Sequence, residues 1–295
     1  MKKLITVLAV FLAAITVPVH AVTPKVMVII DSGVDIQHPA IKNNIIYEVC
    51  VSGYNSCPNK QNFMEGAGAA TITPAMYTNT NWNHGTEVAS AATQTDSSVK
   101  IIEIRCASLI GVNGYIGCNA DMLTNALNWS YLNKDKFNIG AVVSPLGSLN
   151  TSCNLSATYA APINKLTASG VPVIFPTGND FNYTNIDNPA CLPGVLAISA
   201  IDDKGRLGLY ANYSSRVDFA SMGNLTVATP GNQYKSDYGT SLSVATFGAG
   251  WLKILNAKNL SYSNEYALIK STGTNYTNIM VKQNVLAINI AKAVQ

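Results

Sequence analysis

Charge and histidine are both scarce in this sequence of 295 residues. Charged side chains make up only 12% of the chain, well below the roughly 25% of an average soluble protein. The formal net charge of +3 is too small for the basic surface that neutralises nucleic-acid phosphates, so we expect no nucleic-acid partner. Hydrophobic residues reach 48%, which predicts a sizeable buried core rather than a disordered chain. The three histidines are His20, His38 and His84.

The N-terminus has the order of features that is typical of a secretory signal peptide. Lys2 and Lys3 precede an apolar run over 4–19, and Val19–Ala21 has the small-x-small pattern of a cleavage site. A transmembrane anchor is the alternative, but the run is shorter than a typical span and polar sequence follows at once.

Removal of residues 1–21 would leave a mature chain over 22–295. We predict that this chain is a single domain without an evident prodomain, and that it is secreted or periplasmic with no stable membrane insertion. Processing would also remove His20, so that His38 and His84 are the histidines of the mature protein.

The six cysteines have no spacing that is typical of a zinc site, and secretion would place them in an oxidising compartment. Chain order favours two short loops and one longer one, namely Cys50–Cys57, Cys106–Cys118 and Cys153–Cys191. The alternative, in which some thiols stay free and buried, remains open at this stage.

Short apolar runs alternate with helix-like stretches along the mature chain. Such runs are typical of strands that are buried on both faces of a parallel sheet, and they cover 26–30, 99–104, 139–143, 171–175 and 195–200. Helical patterns lie between or after them, over 84–92, 121–131, 159–168 and 241–255. Asp121 is the expected N-cap of the second helix, and the polar stretch 43–83 is predicted to form surface loops. This alternation predicts an α/β fold with a parallel sheet.

Ligands of an open parallel sheet bind beyond the carboxyl ends of its strands. Those ends carry Asp31, the segment 144–147 and the segment 177–179. A carboxylate such as Asp31 is costly to bury unless it is paired, so it either caps a turn or orients a histidine.

Three further residues could supply chemistry, although each also has a plain structural interpretation. His84 opens a helix, where the dipole disfavours the cation, so its imidazole could be a neutral general base. His38 precedes Pro39 and is expected to be structural. Ser241 could be an ordinary N-cap or a nucleophile that faces helical N–H groups, and Asn179 could be a turn residue or an oxyanion donor. Together with Asp31 they form the set that acyl transfer needs, in the order Asp, His, Ser.

Six segments resemble the subtilisin-like serine peptidase family, and four of them correspond to the segments around its functional residues. "VIIDSGVDIQHPAI" resembles the segment around that family's catalytic Asp, and "NHGTEVAS" resembles the segment around its His. "FPTGNDFNYTNIDNPACLPGVLAISAID" resembles its oxyanion segment, and "GTSLSVATFGAG" resembles its Ser segment. The resemblance implies a three-layer sandwich with a mostly parallel central sheet and helices on both faces. It also implies a triad of Asp31, His84 and Ser241, with Asn179 in the oxyanion hole.

The resemblance also implies a polypeptide substrate, which pairs as an added strand between residues 109–114 and 144–148. The implied substrate-binding residues are Ser144, Pro145, Leu146, Gly147, Thr177 and Gly178. No cofactor is expected for catalysis, no metal ligand is assigned, and structural calcium is possible in the family but has no identifiable site here. We expect a monomer.

The sequence departs from the family at several positions, including "PTGN" in place of the usual "AAGN". Pro145 lacks a backbone donor in the strand beside the substrate, and Ser243 and Ala245 replace the usual Ala and Pro after the nucleophile. The leading hypothesis is a secreted serine endopeptidase, and the alternative is a catalytically weak or inactive domain that acts as an extracellular binding protein. A lipase of the α/β-hydrolase type is disfavoured, because Gly239-Thr240-Ser241 lacks the following Gly and His84 precedes Ser241.

Overall fold

The computed structural model describes residues 23–110, 115–148, 153, 158–278 and 283–295. The predicted signal peptide therefore lies outside the described residues, as do 111–114 of the segment that is predicted to flank the substrate.

The described chain consists of fourteen strands and six α-helices. In chain order the strands are β1 (Val26–Asp31), β2 (Ile45–Val51), β3 (Phe63–Glu65), β4 (Lys100–Arg105), β5 (Ser108–Ile110), β6 (Tyr115–Gly117), β7 (Ile139–Val143), β8 (Val173–Pro176), β9 (Val195–Ile201), β10 (Phe219–Met222), β11 (Asn224–Thr229), β12 (Gln233–Tyr238), β13 (Thr274–Asn278) and β14 (Gln283–Ala287). The helices are α1 (His84–Thr95), α2 (Ala120–Asn133), α3 (Ala160–Ala168), α4 (Thr240–Lys258), α5 (Tyr262–Thr272) and α6 (Ile290–Ala293).

Ten strands form the central sheet in the order β13-β14-β10-β9-β8-β7-β1-β4-β2-β3. The eight strands from β14 to β2 are parallel, and β13 and β3 add one antiparallel strand at each edge. The strands β11 and β12 form a separate hairpin, and so do β5 and β6.

The middle strand β1 shows why the apolar runs form a sheet that is covered on both sides. All six of its residues are buried. Met27 and Ile29 pack into a first core with α1 and α4, while Val28 and Ile30 pack into a second core with α2 and α3. Helices therefore cover both faces, which confirms the predicted three-layer α/β sandwich.

Two local predictions are wrong. The N-cap of α2 is Asn119, whose side-chain oxygen accepts from Met122 N at 2.9 Å, and Asp121 lies in the first turn instead. The stretch 43–83 is not only surface loop, since it contributes β2 and β3 to the sheet. Val49–Val51 is buried there because β2 pairs with β4 along its length.

The cysteines form the three pairs that chain order favoured, Cys50–Cys57, Cys106–Cys118 and Cys153–Cys191. Over the described part of the chain, no helix is both long and apolar enough to cross a membrane.

Candidate active site

The carboxylate of Asp31 and the imidazole of His84 meet where β1 ends and α1 begins. His84 Nδ1 lies 2.9 Å from both carboxylate oxygens of Asp31, which is completely buried. This approach requires Gly85, because a Cβ there would collide with the carbonyl oxygen of Gly33. Gly85 N also donates to Ser32 Oγ at 3.0 Å, which ties the first turn of α1 to the end of β1.

Nearby carboxylates determine the charge of His84. Burial lowers the pKa of His84, but the charge and hydrogen bond of Asp31, together with the charges of Glu87 and Asp237, raise it to about 9. This differs from the sequence expectation of a neutral imidazole at a helix start. The sequence expectation rested on the helix dipole, whereas the charges of Asp31, Glu87 and Asp237 also act on the imidazole.

A cleft of about 440 Å³ opens beside His84. One of its walls is an ion-paired group in which Lys235 Nζ lies 2.9 Å from Glu87 Oε1 and 2.9 Å from Asp237 Oδ2. Lys235 and Asp237 come from β12, so the β11–β12 hairpin supplies this wall. Lys235 and Asp237 are far from Glu87 in the sequence, so no local sequence pattern predicts this ion-paired group.

Ser241 is the second residue of α4 and lies next to this cleft. Its Oγ donates to the carbonyl oxygen of Pro145 at 3.2 Å, and Pro145 lines the cleft together with His84. Among the described residues, no hydrogen bond joins Ser241 Oγ to His84. The structure thus brings Ser241 to the cleft of the Asp31–His84 pair, with its hydroxyl bonded to Pro145.

Asn179 follows β8 and is held by the first residue of α4. Its Oδ1 accepts from Thr240 N and from Thr240 Oγ1, both at 2.9 Å. Because a backbone N–H can only donate, this bond fixes the amide orientation and leaves Nδ2 available as a donor. A Cβ built on Gly239 would lie 3.7 Å from Asn179 Nδ2 and 3.8 Å from Ser241 N. The two donors therefore both lie beside Gly239.

The predicted substrate-binding residues divide into two groups. Pro145, Leu146 and Gly147 line the cleft with His84. Pro145 has no N–H, but the group that it presents to Ser241 is its carbonyl oxygen, which proline retains.

Ser144, Thr177 and Gly178 are instead buried behind the cleft surface. Gly178 N donates to Thr240 Oγ1 at 3.2 Å, which links the end of β8 to the start of α4.

The remaining sequence expectations concern residues around the site. His38 is buried, with Nε2 3.1 Å from Gln233 O and Nδ1 accepting from Ala40 N at 3.2 Å, in agreement with a structural role. Ser243 and Ala245 are completely buried in α4. Among the residues that the structure describes, no group of three or more His, Cys, Asp or Glu side chains could hold a metal ion.

Two buried acidic residues near the site, Glu103 and Asp187, are not among the sequence predictions. Glu103 on β4 is completely buried, and burial together with the charges of Asp31 and Glu48 raises its pKa well above the usual range. Asp187 is buried beside Gly147. A signal existed for Glu103, because it is a charged residue inside an apolar run.

Comparison with known proteins agrees with this geometry. The model of the subtilase family matches residues 25–285. The chain is 27% identical over 221 residues to the alkaline elastase YaB of Bacillus sp. (strain YaB), covering 72% of this chain and 55% of that protein. It is 25% identical over 249 residues to the minor extracellular protease Epr of Bacillus subtilis (strain 168), covering 82% of this chain and 34% of that protein.

The chain thus spans about half the length of the first of these relatives and a third of the second. A solved structure of a cold-adapted subtilisin-like serine proteinase has the same fold, with a TM-score of 0.66 at 17% identity over 89% of this chain and 87% of that one. The family match covers nearly all of the described residues, and the chain belongs to the subtilase family.

Proposed function

We propose that the chain is a secreted serine endopeptidase in which Asp31, His84 and Ser241 act as the triad and Asn179 assists the oxyanion hole. The observation that carries this proposal is the 2.9 Å contact between His84 Nδ1 and the carboxylate of Asp31. His84 lines the same cleft as Pro145, whose carbonyl oxygen accepts a hydrogen bond from Ser241 Oγ. Family membership supports the same reaction class.

The reaction begins when Ser241 Oγ attacks the carbonyl carbon of a peptide bond and His84 takes the hydroxyl proton. For this step the Ser241 hydroxyl must leave Pro145 O and turn to His84 Nε2. Asp31 holds the imidazole through Nδ1 and stabilises the imidazolium. Asn179 Nδ2 and Ser241 N donate to the oxyanion, His84 gives its proton to the departing amine, and water then hydrolyses the acyl-serine.

The charge of His84 predicts when this chemistry is fastest. A general base must be neutral in the free enzyme, and the pKa of His84 is raised to about 9. Activity should therefore increase from neutral toward alkaline pH.

Secretion is part of the proposal, with residues 1–21 as the removed leader and 22–295 as one catalytic domain. Three disulfides support an oxidising compartment. N-terminal sequencing of the exported protein tests it, and a mature chain that begins at Val22 is the expected result.

The second candidate is a catalytically weak or inactive subtilase domain that acts as an extracellular binding protein. The hydrogen bond of Ser241 to Pro145 rather than to His84 favours it. Hydrolysis of a denatured protein substrate by the full chain, compared with Ser241→Ala and His84→Ala, distinguishes the two.

Ser97→Ala is the matched control, because Ser97 is an exposed serine in the turn after α1, away from the cleft. We expect wild type and Ser97→Ala to hydrolyse the substrate and both site variants to lose activity. A folded wild-type protein without hydrolysis supports the binding protein instead.

A further inference from the structure

The carboxylate of Asp187 lies between the two segments that are predicted to bind substrate, yet the proposed catalytic steps do not use it. A Cβ on Gly147 would lie 2.9 Å from Asp187 Oδ2, and one on Gly178 would collide with Asp187 Oδ1. Gly147 follows β7 and Gly178 follows β8. The carboxylate therefore fills the space directly behind the backbone of both strand ends.

The carboxylates of Asp187 and Asp180 both accept hydrogen bonds from the side-chain amide of Asn212. Asn212 Nδ2 donates to Asp187 Oδ1 and to Asp180 Oδ2, both at 3.0 Å. None of the ion pairs in the described structure includes either aspartate. Asp180 is exposed, whereas Asp187 exposes only 6% of its surface. Burial and the charge of Asp180 raise the pKa of Asp187 to about 7, although the bond from Asn212 lowers it.

Two buried hydroxyl groups, one just after β7 and one just after β8, lack hydrogen-bond partners. Ser144 Oγ and Thr177 Oγ1 belong to completely buried residues and make no hydrogen bond within the described chain. Alternation along β7 and β8 places both side chains on the face of the second core, which also contains Ile186. A buried polar group without a partner is costly. The ends of β7 and β8 therefore carry the Asp187 carboxylate, which has no cation in the described structure, and this favours a cationic group as its ligand.

The position of the site indicates which part of a substrate would supply that donor. The residue whose carbonyl is attacked must lie against Ser241 and Asn179. Its side chain is then the one closest to Gly178, which precedes Asn179, and to Gly147, which lies two residues after Pro145, the residue that contacts Ser241. A metal ion is disfavoured as the occupant, since no group of three ligating side chains exists among the described residues.

We propose that Asp187, with Asp180 nearer the surface, makes the peptidase prefer lysine or arginine on the acyl side of the scissile bond. This inference rests on the proposed function, which it makes more specific. The ammonium or guanidinium group would pair with the Asp187 carboxylate.

The test compares kcat/KM for internally quenched peptides that differ at one position, occupied by lysine, arginine, norleucine or phenylalanine. Norleucine matches the carbon chain of lysine without its charge. Measurements at pH 8 keep Asp187 ionised, and the protonation of His84 affects all four peptides equally. Asp187→Asn removes the charge, and Asp135→Asn is the matched control because its side chain is 90% exposed beside Lys134.

Wild type and Asp135→Asn should cleave the lysine peptide about 30-fold or more faster than the norleucine peptide, and Asp187→Asn should bring this ratio close to one. The inference is overturned if the wild-type ratio is close to one, a result that does not depend on whether the variant folds. It is equally overturned if folded Asp187→Asn keeps the ratio.

Labelling of Ser241 by a fluorophosphonate separates this failure from a failure of the proposed function. A wild-type protein that is labelled and hydrolyses norleucine and lysine peptides alike refutes only the specificity. A wild-type protein without labelling or hydrolysis refutes the peptidase, and the specificity with it.

Discussion

The protonation of His84 depends mainly on Asp31, and replacing that carboxylate gives a quantitative prediction. The pKa of His84 is raised from 6.5 to about 9 in the folded protein. At about 1.36 kcal/mol per pH unit this corresponds to about 3 kcal/mol. Because His84 exposes 32% of its side chain, solvent screening reduces the effect to about 2 kcal/mol. Asp31→Asn removes the nearest charge, so the pKa of His84 should fall toward 6.5 or below, where burial dominates.

The same coupling predicts the pH dependence of stability. A pKa that is raised in the folded state stabilises the protein fully below pH 6.5, and this contribution is lost as the pH rises through about 9. The free energy of unfolding should therefore fall by about 2 kcal/mol more between pH 6 and pH 10 in wild type than in His84→Gln. Urea denaturation at the two pH values measures this difference.

Proton and nitrogen NMR of histidine-labelled mature protein gives the most direct assay. The proposed mature chain, 22–295, has two histidines, His38 and His84, so the signal that is absent from His84→Gln identifies His84. Asp135→Asn again serves as the control for the loss of one negative charge. The reasoning is refuted if His84 titrates at or below pH 6.5 in wild type, or if its midpoint is unchanged in Asp31→Asn.

Three further changes test other parts of the site. Asn179→Ala should lower kcat by about 100- to 1000-fold with little change in KM, and a raised KM with unchanged kcat counts against its oxyanion role. Gly85→Ala should lower Tm, because the added Cβ would collide with the backbone of Gly33. Gly53→Ala is the control and should leave Tm nearly unchanged, because the nearest atom to its Cβ would lie at 3.6 Å. Equal melting temperatures for the two variants would contradict the close approach of α1 to Gly33. Lys235→Ala leaves two carboxylates near His84 without their cation, so the rising limb of kcat/KM against pH, which follows the loss of the His84 proton, should move to higher pH, and a movement to lower pH contradicts the electrostatic account.

The buried parallel strands could be predicted from sequence because their environment is uniform. β1 and β7 are covered on both faces, so every residue in them is apolar apart from Asp31 at the functional end and Gly140 in β7. β2 was missed because it lies near the sheet edge, where Ile46 is exposed and the apolar pattern is interrupted. The N-cap of α2 was misplaced because Asn119 and Asp121 are both good caps and only the fold decides between them.

The catalytic candidates could be found because strand ends and helix starts have local sequence signals. The electrostatic interactions around these residues could not be predicted, because they depend on contacts between residues that are distant in the sequence. Asp237 affects His84 across more than 150 positions, and Asn212 reaches Asp187 across 25. No periodic sequence pattern marks such pairs, because their members meet only when the hairpins and loops fold against the sheet.

The central claim is that Ser241 is a nucleophile activated by the Asp31–His84 pair. Mass-spectrometric mapping of the fluorophosphonate adduct on the purified mature protein tests this claim most directly. The account predicts one adduct, on the peptide that contains Ser241, which disappears in Ser241→Ala and is strongly reduced in His84→Ala. An adduct on another residue, or one on Ser241 that forms equally fast in His84→Ala, would contradict it.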